Sequence, residues 1–144
     1  MSWLAKFRSL TRNERNSLCE AVLLLLLSNA CVKVIPFKYI DRFLCTRGTA
    51  TFQESIDREG QVKLVHSSIS RAANILPWKS LCLSRSIAEF IMLRRRGIFA
   101  TMLAGVKFSG ESKLFAHAWI DTDVKSKSSE NSSFAIVMRI GIES

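Results

Sequence analysis

Cys82 and His117 are the two residues whose types and settings could do chemistry together. Cys82 opens a segment with strong helix marks: Pro77 and Trp78 lead in, Ser80 can cap, and Leu81 to Leu93 run without a breaker. Arg94-Arg95-Arg96 and then Gly97 close it with the residue types a helix C-terminus favours. With Ser80 as N-cap, Cys82 falls in the first turn, where unpaired N–H groups and the positive dipole end favour a thiolate. Further on, Phe115-Ala116-His117-Ala118-Trp119-Ile120-Asp121 is strand-like and carries an imidazole. A thiol nucleophile and an imidazole to take and return its proton are the minimum for acyl chemistry through a covalent intermediate. Taken singly, each residue would more often be a packing residue. Their order and settings carry the expectation of a cysteine-dependent hydrolase.

The supporting groups are less determined. Asp121 lies four strand residues from His117, about 13 Å in a straight strand, and Asp123 is farther. An orienting group is therefore expected from a returning strand across a hairpin, which would bring Ser129 to Asn131 beside His117. The third member stays open among Glu130, Asn131 and Asp123. The Cys82 N–H is a natural oxyanion donor, and the Trp78 indole N–H is a second candidate. Gln53 and Gln61 lie in or near a polar connector and are poorly placed for that role. His66, the other histidine, sits beside the core-facing Val65 and reads as structural or solvent-exposed. The cysteines Cys19, Cys31, Cys45 and Cys82 form no C-x-x-C pair and no metal spacing, so neither metal nor cofactor is expected. Cys19 and Cys31, inside an apolar helix pattern, are expected as buried small hydrophobes.

These residues need a scaffold, and 144 residues with 48% hydrophobic content suffice for one domain with a real core. Thr11-Arg12-Asn13-Glu14 is a capping box that opens a helix running to about Val34, before Pro36. Leu23 to Leu27 resemble a membrane segment, but Ser28, Asn29 and Lys33 interrupt the apolar run, which favours a core helix over a span. Phe37 to Leu44 reads as a short amphipathic helix, Arg47 to Glu59 as a connector, and Val62 to Leu76 as a third helix ended by Pro77. Beyond Gly97 the period changes. Ile98 to Phe108, Leu114 to Thr122 and Phe134 to Ile142 read as strands, with Lys125 to Ser133 as a Ser/Lys-rich hairpin loop. Helices first and strands afterwards predict an α+β fold: N-terminal helices, then a helix packed on a small antiparallel sheet. Residues 1–46 are expected to be a helical segment packed on a 60–144 core, one structural domain overall. The formal charge of +9 admits an acidic partner or a membrane surface. The arginine run fits a helix end better than a nucleic-acid patch, so no nucleic acid is expected. No secretory signal is evident, which points to a reducing, cytoplasmic setting.

The chain also resembles the B2 peptidase family of lasso-peptide biosynthesis, whose members have a transglutaminase-like, papain-related fold. The residues that carry the likeness are Leu76-Pro77-Trp78, Cys82-Leu83, Leu93-Arg94-Arg95-Arg96-Gly97-Ile98, Gly105-Val106 and Ala116-His117-Ala118-Trp119. Glu20-Ala21-Val22-Leu23 and Ile35-Pro36-Phe37 extend it toward the start. The resemblance implies Cys82 as nucleophile and His117 as general base and acid, in a peptidase that removes the leader from a ribosomally made precursor peptide. Family members often carry Asn-Asp a dozen residues after the histidine, and Lys125 to Ser129 holds no aspartate. The resemblance further implies a separate leader-recognition (B1) protein as partner and a lasso cyclase as recipient of the released core peptide. Two alternatives remain: a transglutaminase-like acyltransferase, and a basic peptide-binding module whose catalytic machinery has decayed.

Overall fold

The computed structural model of the chain describes residues 3–46, 57–77, 82–110, 113–122 and 133–141. Five helices precede three strands: α1 (Trp3–Arg8), α2 (Arg12–Val34), α3 (Phe37–Thr46), α4 (Arg58–Ile75), α5 (Cys82–Arg95), β1 (Ala100–Ser109), β2 (Lys113–Thr122) and β3 (Ala135–Ile140). The α+β expectation holds. The short α1 has no counterpart in the sequence reading.

Local chemistry sets most of the boundaries. The Thr11 hydroxyl accepts from the Glu14 N–H at 3.3 Å, and the Glu14 carboxylate accepts from the Thr11 N–H at 2.9 Å. Those bonds hold the Glu14 carboxyl below its usual range. The helix α4 starts earlier than its apolar pattern suggests, because the Asp57 carboxylate accepts from the Gly60 N–H at 3.1 Å and caps it. At the end of α5 the chain forms a Schellman turn, with Gly97 at φ 69°, Gly97 N–H to Arg94 C=O at 3.1 Å and Ile98 N–H to Leu93 C=O at 3.0 Å. Ile98 is thereby drawn into the cap, and β1 begins only at Ala100.

One core unites helices and sheet. Leu18, Ala21 and Leu25 of α2, Val65, Ile69 and Ala72 of α4, and Ile87, Phe90, Met92 and Leu93 of α5 meet Ala100, Met102 and Ile140 of the sheet. A polar tie sits at the edge of this core. Arg96 donates to Met92 C=O (3.0 Å), to Glu20 Oε2 (2.8 Å) and to Ser17 Oγ (3.4 Å), while Ser68 Oγ donates to Ser17 Oγ at 3.1 Å. Arg95 reaches the other Glu20 oxygen at 3.3 Å, and Arg94 lies over the Phe90 ring at 5.5 Å. The arginine run thus serves the helix end, as its position across the last turn of α5 suggests.

Two expectations need correction. Cys19 is exposed and Cys31 only half-buried, because both fall on the side of α2 turned away from the buried Leu18, Ala21 and Leu25. The sheet order is β2-β1-β3, with both pairings antiparallel. β3 therefore pairs on the far side of β1 rather than beside β2 as in a hairpin, and the returning strand does not lie beside His117. The β1–β3 ladder also carries a bulge: Ala104 pairs with Met138 but Gly105 with Ile136.

Candidate active site

Cys82 is the first residue of α5, a free and half-buried thiol, with no acidic residue in its first turn. Trp78 and Ser80 lie outside the described residues, as do Glu130, Asn131 and Asp123, the open positions for a third member. The route that suggested Glu130 and Asn131 fails on strand order, since it needed β3 next to β2. Two residues beyond Cys82, the Ser84 hydroxyl is fully buried and has no partner among the described residues.

His117 sits at the middle of β2, paired with Gly105 of the central strand. Helix α5 spans about 21 Å at 1.5 Å per residue, and β1 turns back along it from Gly97 at about 3.3 Å per residue. Six or so residues beyond Gly97 cover that length and reach about Leu103, two positions short of Gly105 and its partner His117. Helix α5 packs against both β1 and β2.

Level along the sheet is separate from facing. Side chains alternate between faces, and directly paired residues share one. Ala100 and Met102, with their partners Thr122 and Ile120, are on the face that meets α5, and Met102 and Ala100 are in the common core. His117 and Gly105 are offset by an odd number of residues and lie on the other face. There the imidazole stacks on Trp119 with centroids 5.9 Å apart and planes at 17°, and it meets the Phe134 ring at 5.5 Å. Trp119 and Phe134 also touch, at 6.0 Å, and Lys107 Nζ lies 5.7 Å from the Phe134 centroid. Among the described residues no side-chain hydrogen bond joins Cys82 to His117.

Gly105 makes this cluster possible. A Cβ there would stand 3.0 Å from Trp119 Cη2 and from Phe134 Cβ, and 3.1 Å from the Ala135 carbonyl. Its missing side chain lets rings from both flanking segments close over the central strand. Sequence reasoning noted Gly105 and Trp119 but missed Phe134, whose approach depends on the bulge and leaves no local signal. His66 is solvent-exposed, with Nδ1 3.3 Å from Glu89 on α5. Among the described residues no three His, Cys, Asp or Glu side chains converge as a metal site would require. A cavity of ≈ 890 Å³ lies between α1, α2 and α4, lined by Phe7, Leu10, Leu18, Arg71 and Ile75 among others; it takes no residue from α5 or the sheet.

A cysteine-headed helix laid on a strand that bears a histidine places the chain in a known class. Residues 32–139 match the family model of the transglutaminase-like superfamily, and the chain belongs to that superfamily. The superfamily includes cysteine peptidases and acyltransferases, and the matched region takes in α3, α4, α5 and nearly the whole sheet. No curated protein and no solved structure matches the chain.

Proposed function

We propose that this protein is a cysteine peptidase that removes the leader from a ribosomally made lasso-peptide precursor. The observation that carries the reading is the position of Cys82, a half-buried free thiol at the first residue of a helix packed on the His117 strand, in a chain of the transglutaminase-like superfamily. The Leu-Pro-Trp, Cys-Leu and Ala-His-Ala-Trp segments favour leader removal over the other chemistries of that class. The Cys82 thiolate attacks the leader–core carbonyl, and the oxyanion takes the Cys82 N–H, with the Trp78 indole as a second donor. His117 protonates the leaving amine, then deprotonates the water that releases the acyl-enzyme. Its orienting partner is proposed among Glu130, Asn131 and Asp123. A leader-recognition protein presents the precursor, a lasso cyclase receives the product, and the setting is cytoplasmic.

For this cycle the imidazole must come within hydrogen-bond reach of the sulfur, about 3 Å from it or one water away. His117 lies on an edge strand whose residues from Lys113 to Ala116 are exposed on both faces. Rotation of that end on precursor binding is the movement the proposal requires.

Cys82→Ala and His117→Ala should each reduce precursor cleavage by a factor of about a thousand or more, followed by mass spectrometry with the recognition partner present. Full cleavage by the Cys82 variant would refute the assignment. A product heavier by water marks hydrolysis, whereas an amide-linked product marks acyl transfer. The second reading, a peptide-binding module without catalysis, is favoured by the His117 ring lying against Trp119 and Phe134. It predicts precursor binding that survives both substitutions and no cleavage by the parent.

A further inference from the structure

The outer face of α2 is apolar where a helix on a protein's surface is expected to be polar. Its inner face is accounted for: Leu18, Ala21, Leu25, Ser28 and Asn29 are buried, and Ser17 bonds Ser68 of α4. At about 100° per residue, Cys19, Leu23, Leu26, Leu27, Ala30 and Val34 fall on the opposite side in one stripe four turns long. All six are exposed; Leu23 is 57% accessible, Leu27 54% and Val34 80%. The five consecutive leucines follow from this double demand, apolar residues being present on both sides of one helix.

Charge completes the pattern. Arg12 stands at the start of the stripe, and Arg15 and Lys33 run along one flank. The carboxylates of α2 are Glu14 and Glu20, the first held in the capping box and the second by Arg95 and Arg96. Beyond Val34 the apolar surface continues through Ile35 to the exposed Tyr39, whose ring carries Lys38 Nζ at 5.6 Å. The chain as a whole carries +9. By length and composition α2 could cross a membrane. Crossing would strip Leu25 and Ala21 from the core, so a helix anchored on one side can only lie along a surface.

We infer that the outer face of α2 seats this protein on an anionic membrane surface, with the leucine stripe in the headgroup region and Arg12, Arg15 and Lys33 against lipid phosphates. An apolar stripe with a basic flank is the pattern of helices that lie in the membrane interface. The cations add a term that needs anionic lipid and weakens with salt. The inference is independent of the peptidase reading, and Cys82→Ala should bind vesicles like the parent.

Co-sedimentation of the full chain with vesicles tests it, using phosphatidylcholine alone and phosphatidylcholine with phosphatidylglycerol in equal parts. The parent should sediment with the mixed vesicles at low salt, and about 0.5 M salt should reduce binding severalfold. Leu23→Gln with Leu27→Gln should lower partition about tenfold or more while leaving the far-ultraviolet circular dichroism unchanged. Arg15→Glu with Lys33→Glu keeps the stripe and should lower partition to mixed vesicles by a similar factor. Absence of binding to mixed vesicles at low salt would overturn the inference, as would undiminished binding by both double variants. A self-association that the leucine variant abolishes, with no vesicle binding by the parent, would mean that a second copy covers the stripe.

Discussion

On the side of the sheet that meets α5, Ala100, Met102 and Ile140 are almost fully buried among aliphatic side chains from three helices. On the other side, three residues further along the central strand from Met102, a glycine lies under an imidazole, an indole and a phenyl ring, with a lysine ammonium over the last. The first face follows the ordinary logic of a core, in which apolar area removed from water holds the sheet to the helices. The second gathers amphipathic groups that are half-buried and joined by ring contacts. The contrast teaches that the strand register alone decides which of two very different environments a residue of β2 enters. His117 and Ala118 are neighbours in the chain and belong to separate chemistries.

The largest test strikes the aliphatic face. Met102→Ala removes a buried side chain from the common core and should lower stability by about 2–5 kcal/mol in urea titration. Leu103→Ala, buried on the opposite face but outside that cluster, should fall at the low end of the same range; a loss larger than that of Met102→Ala would erase the distinction between the faces. Gly105→Ala strikes the aromatic face, where the added methyl must push Trp119 and Phe134 apart. It should cost about 1–3 kcal/mol and move the ring-current-shifted proton resonances of His117. Unmoved resonances would mean that the rings do not close over the strand. Lys107→Ala removes only an exposed cation over Phe134 and should cost about 0.5 kcal/mol, read in the same titration.

Much of the frame was legible because it is written locally. The Thr11 capping box, Pro77 as the stop of α4 and Gly97 as the stop of α5 each state their purpose within a few residues. The three strands could likewise be read from runs of β-formers between turn residues. Strand order could not. Strands consecutive in the chain suggest neighbours, yet β3 pairs with the far side of β1, a choice made by tertiary packing that no local pattern carries. The same gap misled the search for a third catalytic group, which assumed β3 beside β2. The candidate pair was legible as residue types. The alternation along β2 was also visible, Phe115, His117 and Trp119 on one face and Ala116, Ala118 and Ile120 on the other. Which of the two faces receives α5 is a tertiary fact. That α2 packs into the core was legible; that its other side stays exposed was not, because one composition serves a fully enclosed helix and one with its back to the outside.

The irregularity opposite Ala104 and Gly105 acts as a phase reverser. With an unbroken ladder after Ala104–Met138, Phe134 would come opposite Phe108 and turn toward α5. The one surplus residue shifts everything before it by half a pleat, so Phe134 comes opposite Lys107 and its ring swings to the histidine. Excising Val137 should leave a regular ladder in which Ile136 still meets Gly105 and Phe134 still comes opposite Lys107, so the phenyl group keeps its place beside the imidazole while the local kink is lost.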